Sequence, residues 1–149
     1  MQKIPKGKKI YEGPEGICFA RDHLYWYDQY FNEIDPPKEV KGNLDCSNIS
    51  ITSLKGCPEK VGGSFWCGYT NITSLEGCPR IVGGGFSCLS TNITSLKGCP
   101  EKVGGSFWCS YTNITSLKGC PRIVNGDFNC SRTLIASLEG APKIVEGNF

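Results

Sequence analysis

The stretch Leu54–Leu75 reads LKGCPEKVGGSFWCGYTNITSL, and it returns at Leu96–Leu117 with one change, Gly68 to Ser110. A looser copy, LEGCPRIVGGGFSCLSTNITSL, lies between them at Leu75–Leu96. Recurrence at a fixed short period is typical of solenoids, in which each unit buries its apolar side only against its neighbours. The sequence therefore predicts a stack of 21-residue turns around one continuous interior.

Composition narrows the class of protein. The chain has 149 residues, which is the size of one domain, and a formal net charge of +2 with both signs interspersed. No apolar run of about 18 residues is present, and no apolar stretch follows the first lysines. We expect a cytoplasmic protein with no membrane contact, and the small, interspersed charge does not indicate nucleic acid as a partner.

The ten cysteines need a separate explanation, because such a count is also typical of secreted disulfide scaffolds. Residues one period apart stack at about 4.8 Å, whereas a disulfide needs Cβ atoms about 3.8 Å apart. Ala141 takes the next place in one of the series. We therefore predict a ladder of reduced cysteines that act as small apolar core residues. Nine of them fall into two series, which are Cys46, Cys67, Cys88, Cys109 and Cys130, and Cys57, Cys78, Cys99 and Cys120.

A structural zinc site is not predicted. Zinc ligands usually come in close pairs such as C-x-x-C, often with histidines. Here no two cysteines are closer than ten residues and His23 is the only histidine. We expect no metal and no cofactor.

Each turn follows the pattern Phe65-x-Cys67-x-x-Thr70-x-Ile72-x-x-Leu75. This pattern resembles the leucine-rich-repeat signature L-x-L-x-x-N-x-L-x-x-L, with Cys and Thr in the second Leu and the Asn places. It is similar in particular to short repeat proteins of bacteria and their phages. The resemblance covers Lys41 to the carboxyl end strongly and residues 24–40 weakly.

The fold predicted from these observations is all-β. The resemblance implies a right-handed leucine-rich-repeat solenoid with one parallel sheet on its concave side. Prolines such as Pro58 and Pro79 on the return leg exclude a regular helix, so short turns or 3-10 pieces are expected on the back. In the Asn place, the threonines are expected to bond to neighbouring turns.

The amino-terminal part is predicted to be a cap, residues 1–40, continuous with the solenoid, residues 41–149. Residues 9–12 and 17–20 flank Gly13-Pro14-Glu15-Gly16 and predict a hairpin. Residues 21–40 are interpreted as a degenerate repeat. In that alignment Leu24, Trp26, Phe31, Ile34 and Pro37 take the places of Phe65, Cys67, Ile72, Leu75 and Cys78.

Function is expected on the outward residues of the strands. Trp66 and Trp108 lie two turns apart, about 9.6 Å, with Ser87 between them. Exposed aromatic residues are enriched at binding hot spots, but the indoles also have the simpler role of shielding the sheet. The predicted binding residues are Asp45, Trp66, Tyr69, Ser87, Trp108, Tyr111, Asn129 and Arg132 on the concave face, with Tyr25, Tyr27, Asp28 and Tyr30 as cap contacts.

No catalytic residues are predicted. His23 beside Asp22 suggests a local hydrogen bond, and nothing in the sequence places it beside Cys18. The favoured function is a non-catalytic protein-binding module, which by resemblance would be a phage or bacterial inhibitor or adaptor of a host protein.

Other functions stay open. A planar small molecule or nucleobase between the two indoles is one alternative, and a structural role in a larger assembly is another. Because the sixth strand is incomplete at Phe149, we also expect a second copy or a partner at the carboxyl-terminal sheet edge.

Overall fold

The computed structural model describes residues 3–149, and over this range the protein is all-β. No helix in this part of the chain has the length and apolarity to cross a membrane. The strands are β1 (Lys8–Gly13), β2 (Gly16–Ala20), β3 (Leu24–Tyr27), β4 (Glu33–Ile34), β5 (Glu39–Val40), β6 (Leu44–Asp45), β7 (Lys60–Val61), β8 (Phe65–Trp66), β9 (Ile81–Val82), β10 (Phe86–Ser87), β11 (Lys102–Val103), β12 (Phe107–Trp108), β13 (Ile123–Val124), β14 (Phe128–Asn129) and β15 (Ile144–Val145).

The strands after β4 form a solenoid of about five turns with two parallel sheets. The front sheet has the order β14-β12-β10-β8-β6, and the back sheet has the order β15-β13-β11-β9-β7-β5. The prediction of an all-β solenoid is confirmed, but the back carries a second sheet where only turns were expected. The reason is that the valines of the return leg pair in register, as Val61 does with Val82, so the extended backbone satisfies its amides between turns.

The interior is made of stacked identical side chains. Phe65, Phe86, Phe107 and Phe128 form a column with successive ring centroids 6.1, 5.0 and 5.1 Å apart. All four are buried, as are the isoleucine, leucine and valine columns beside them as far as Ile114, Leu117 and Val124. Close packing of this kind is what each turn lacks alone, so burial ties every turn to its neighbours.

The column continues at its carboxyl-terminal end. Phe149 stacks on Phe128 at 5.1 Å, and the Asn148 carbonyl accepts a 2.8 Å hydrogen bond from the Phe128 amide. These two residues thus partly cover β14. Association of a second copy at this edge stays a prediction.

The threonines bond differently from the prediction. The Thr70 hydroxyl donates to the Cys67 carbonyl at 2.7 Å, and Thr112 makes the same contact with Cys109. The bonds lie within one turn and not between turns, because the hydroxyl reaches back over the bend that follows the strand. Each threonine therefore closes its own bend. Neighbouring turns along the front sheet are connected by backbone amides and by side chains that precede the strands, as in the bond from the Gly85 amide to Ser64 Oγ at 2.9 Å.

All ten cysteines are free thiols in the structure, and most are buried. Several donate to carbonyls of the next turn, such as Cys99 Sγ to Gly119 O at 2.7 Å. Burial raises the pKa of Cys99 to about 12 from its ordinary 9.0, and it also raises the pKa of Cys67 and Cys88 well above that ordinary value. The thiols therefore stay protonated and act as weak donors in an apolar interior.

The cap contains the predicted hairpin, in which Glu12 of β1 pairs with Ile17 of β2. It belongs to an antiparallel sheet of order β1-β2-β3-β4. Trp26 of β3 is buried and its indole donates to the Gly56 carbonyl at 2.7 Å, which fixes the sheet to the first bend of the solenoid. The apolar core runs without a break from Cys18 in the cap to Phe128.

The degenerate-repeat alignment fails over residues 24–34, which pair antiparallel, whereas Val40 pairs in register with Val61 as a repeat valine does. Leu24 is buried, and its carbonyl oxygen lies against Gly56, where an added Cβ would collide with it. The Leu54 carbonyl oxygen has the same position against Gly77, one turn later. Leu24 thus precedes the leucine column and not the phenylalanine column. Ile34, expected in the interior, is 37% exposed. The antiparallel pairing of β3 with β2 overrides the weak resemblance to a repeat.

Candidate functional site

The outward positions of the front sheet form a straight row. Parallel pairing places Asp45 beside Trp66, Trp66 beside Ser87, Ser87 beside Trp108, and Trp108 beside Asn129. Their neighbours one residue earlier are the buried phenylalanines, or Leu44 in the first turn, so strand alternation turns this row away from the core. The structure therefore brings together the row that the sequence predicted.

Three members of this row have a local structural role. Asp45 Oδ1 accepts from the Ser47 amide at 3.0 Å, and Asn129 Oδ1 accepts from the Ser131 amide at 3.0 Å. Ser87 Oγ makes the equivalent, longer contact with the Leu89 amide at 3.5 Å. Such bonds to the amide two residues on stabilise the end of the strand.

Trp66 and Trp108 cannot make that bond, because an indole carries a donor and no acceptor. The second and fourth turns thus forgo a local hydrogen bond that the polar residues supply in the other turns. Both indoles remain half-buried on the surface. Support of the strand end does not explain why tryptophan occupies these two positions.

A second row follows three residues later and has an unusual backbone. Asn48, Tyr69, Ser90, Tyr111 and Arg132 all have positive φ, between 52° and 58°. This left-handed conformation is tolerated by glycine and asparagine but is unfavourable for bulky side chains. Tyr69 and Tyr111 are 58% and 56% exposed, so little burial offsets the unfavourable backbone. Tyrosine therefore contributes little to the stability of the fold at either position.

The aromatic side chains surround a shallow depression of about 250 Å³. Its lining includes Trp66, Tyr69, Leu89 and Trp108, and Ser87 lies among them with only 4% of its surface exposed. We call Trp66, Tyr69, Leu89, Trp108 and Tyr111 the aromatic face. A predicted contact residue, Ser87, is therefore the floor of the depression and not a protruding contact.

Charge enters the aromatic face at its two ends. Asp45 is exposed beside Trp66, and Arg132 is exposed beyond Tyr111. The Arg132 guanidinium lies 5.6 Å from the centroid of the Tyr111 ring, a cation–π distance. The surface thus has an apolar centre with an acid at one end and a base at the other.

The predicted cap contacts fall into two groups. Tyr30 is largely exposed, as expected, but Tyr25 and Tyr27 are half-buried. Tyr25 stacks on His23 at 4.0 Å, and Tyr27 packs edge-on against Phe19. The cap residues therefore belong largely to the antiparallel sheet.

Asp28, the fourth predicted cap contact, builds a turn. Its carboxylate accepts from the amides of Tyr30 and Asn32 and from the Asn32 side chain. These bonds, chiefly those from Asn32, lower the pKa of Asp28. Its geometry is therefore explained by the backbone that it holds.

The residues considered for catalysis are also engaged locally. His23 Nδ1 lies 2.9 Å from Asp22 Oδ2, and the pKa of Asp22 is lowered to about 2 chiefly by that bond. Cys18 is fully buried, and desolvation raises its pKa to about 12, the reverse of an activated thiolate. Within residues 3–149, no three His, Cys, Asp or Glu side chains are grouped so as to hold a metal.

Two features were missed by the sequence predictions. Leu89 lines the depression, and it is the one large apolar residue in a column that otherwise holds Ser47, Gly68, Ser110 and Ser131. The other is the outward row of the back sheet, where Ile81, Ile123 and Ile144 precede the inward valines. Consecutive Ile-Val pairs were the available signal, because one residue of each pair in a strand must face outward.

No protein-family model, curated protein or solved structure matches this chain. A functional proposal therefore depends on the geometry and chemistry of the residues themselves.

Proposed function

We propose that this protein is a non-catalytic protein-binding module that contacts its partner through the aromatic face. The carrying observation is that tryptophan and tyrosine occupy positions where the local backbone favours other residues. Asp45 and Asn129 show which side chains support the strand end, and Asn48 shows which side chain suits the left-handed bend. Aromatic residues that the local backbone does not require, and that are half-buried or exposed on the surface, are suited to contact with another molecule.

The size of the depression favours a protein partner. Pockets for small molecules usually enclose about 300–1,000 Å³ and bury most of the ligand. The depression between Trp66 and Trp108 is smaller, about 250 Å³, and open. It has room for one side chain of a partner, with Tyr69 and Tyr111 providing contacts around it.

The resemblance to short leucine-rich-repeat proteins of bacteria and phages extends this proposal. In that context the partner would be a host protein, and this chain its inhibitor or adaptor. The alternation of aromatic and small residues supports binding to a host protein and binding to any other protein equally.

The decisive experiment replaces the aromatic residues with residues that the same columns already contain. Trp66→Asn/Trp108→Asn copies the fifth turn, and Tyr69→Asn/Tyr111→Asn copies the first, so both double variants should fold. Ser90→Asn is the matched control, because it changes the same column without removing an aromatic ring. We expect a partner captured by wild type and by Ser90→Asn to be lost by both double variants. Equal capture by all four proteins would refute the proposal.

The second candidate is a planar ligand held between the two indoles, which is favoured by their shared lining of one depression. It predicts quenching of tryptophan fluorescence by nucleobases or similar planar compounds. Such quenching should disappear in Trp66→Asn/Trp108→Asn. Saturable quenching together with unchanged partner capture would favour this candidate over protein binding.

A further inference from the structure

A cavity lies on the back sheet, away from the aromatic face. It encloses about 750 Å³ over the third to sixth strands of that sheet. Its outward row contains Ile81, Lys102, Ile123 and Ile144. We call this cavity the back groove.

The floor of the back groove is apolar and accessible. Ile123 and Ile144 lie in strands, and although both side chains are apolar, they are 49% and 50% exposed. Neighbouring turns place these two side chains about 4.8 Å apart, and Ile81 lies about 9.6 Å from Ile123. The apolar contacts thus extend over three steps of the solenoid, about 14 Å.

Backbone packing explains why the floor is open on one side. Gly83 and Gly104 follow the inward valines and lie directly over one another. A Cβ on Gly104 would collide with the Gly83 carbonyl, so no side chain is tolerated there. Glycines therefore leave the groove open on this side over β9 and β11, whereas in the next turn the same column holds Asn125, which also lines the groove.

The groove also carries unpaired positive charge. Glu101 is the acidic residue of the lining, and Arg80 holds it with contacts of 3.3 and 3.2 Å. Lys102, Arg122 and Lys143 also line the groove, and within residues 3–149 none lies within ion-pair distance of a carboxylate. The lining thus has three cations against one carboxylate that is already neutralised.

We propose that the back groove is a second binding surface, specific for a peptide segment of a partner that combines apolar and acidic side chains. Its apolar residues cover Ile81, Ile123 and Ile144, and its carboxylates pair with Lys102, Arg122 and Lys143. Charge complementarity selects an acidic segment, since the same cations repel a basic one. The apolar row extends about 14 Å, which is the length of a peptide segment of about four extended residues.

This proposal does not depend on the aromatic face. The two surfaces lie on different sheets, and their lining residues do not overlap. Loss of one binding activity with retention of the other is therefore a meaningful result.

The test selects short random-sequence peptides on the full-length protein and measures the affinity of the enriched peptides by fluorescence anisotropy. Enrichment of segments with alternating or adjacent Leu, Ile, Asp and Glu is expected. Arg122→Glu/Lys143→Glu should weaken their binding at least about tenfold. Lys38→Glu/Lys97→Glu, which makes the same charge change on exposed residues outside the groove, should leave it unchanged. Trp66→Asn/Trp108→Asn should also leave it unchanged.

Three outcomes would overturn the proposal. One is enrichment without acidic and apolar residues, and another is equal affinity for wild type and Arg122→Glu/Lys143→Glu. The third is sedimentation with anionic phosphatidylserine vesicles that the same double variant abolishes while no peptide binds, which would assign the groove to a lipid surface. Ile123→Ser/Ile144→Ser separates the apolar from the ionic part of the contact, because it removes two apolar side chains from the groove and leaves every charge in place.

Discussion

The interior and the exterior of the solenoid obey different rules, although they alternate residue by residue along the same strands. Inside, Phe65, Phe86 and Phe107 repeat without change because each stacks on the last. Outside, the next residue is Trp66, then Ser87, then Trp108. Packing fixes the interior column and leaves the outer row free. Variation on the outside is therefore where a function can be read, and repetition on the inside reports only the fold.

The largest expected effect is a loss of stability as the pH is raised, and it comes from the interior thiols. The folded pKa of Cys18 and Cys99 is about 12, above the ordinary 9.0 of an exposed thiol. Their contribution is complete below pH 9 and is lost as pH rises from 9 towards 12, because the unfolded chain then releases protons that the folded chain keeps. Each such thiol lowers the free energy of unfolding by about 1.4 kcal/mol per pH unit in this window. Urea titrations at pH 7, 9 and 10 should show a steep fall in the free energy of unfolding, with a slope several times that expected for one thiol.

A single thiol sharpens this result. Above pH 9, Cys88→Ala should reduce the slope of the free energy of unfolding against pH by the contribution of one fully buried thiol. Cys130→Ala, at a partly exposed site, should reduce this slope less. A free energy of unfolding that stays constant up to pH 10 would contradict the buried, protonated ladder.

Phe107→Ala should have the next largest effect. Phe107 stacks between Phe86 at 5.0 Å and Phe128 at 5.1 Å and is fully buried. Its removal leaves a cavity inside the column and should lower the free energy of unfolding by about 3–5 kcal/mol. Phe149→Ala removes the same ring from the exposed end of the column and is the control. Similar urea midpoints for the two variants would mean that stacking does not hold the interior together.

Thr112→Val should have a smaller effect, at the border between interior and exterior. Thr112 is buried and donates to the Cys109 carbonyl at 2.7 Å. Valine has the same shape but leaves that carbonyl without its donor, which should lower the free energy of unfolding by about 1–3 kcal/mol. Thr133→Val breaks the same bond to Cys130 where the site is partly exposed, so water should replace the hydroxyl. If both variants are as stable as wild type, the threonines do not close the bends.

Tyr69→Asn should have the smallest effect and the opposite sign. It relieves a left-handed backbone with φ of 54° and removes a largely exposed ring, so the free energy of unfolding should rise by up to about 1 kcal/mol. Thermal unfolding should show an increase of a few degrees. Ser90→Asn, in the same column, should change the midpoint little. A marked loss of stability in Tyr69→Asn would show that the tyrosine serves the fold after all.

The predictions from sequence were most accurate where repetition was most exact. The period of 21 residues predicted the outward row of Asp45, Trp66, Ser87, Trp108 and Asn129, and pairing places these residues side by side. Repetition works here because copies of one turn can stack in one register only if equivalent residues meet.

The cap was predicted less well, because it has one copy and no period. The hairpin followed from Gly13-Pro14-Glu15-Gly16, whose turn chemistry is local. Placing Leu24 in the phenylalanine column was an error, since spacing alone cannot distinguish a parallel turn from an antiparallel strand. In the structure β3 pairs with β2, and this long-range choice depends on which strand edges are free.

By itself, the sequence determined the period, the inward columns of phenylalanine, cysteine and valine, and the aromatic row on the front sheet. Each of these follows from side-chain chemistry repeated at a fixed interval. Only the tertiary structure decided that the return legs form a second sheet, that Ile81, Ile123 and Ile144 meet in a groove, and that Tyr69 and Tyr111 share a left-handed backbone. Those features arise from hydrogen bonds and contacts between turns, which exist only once the turns are stacked.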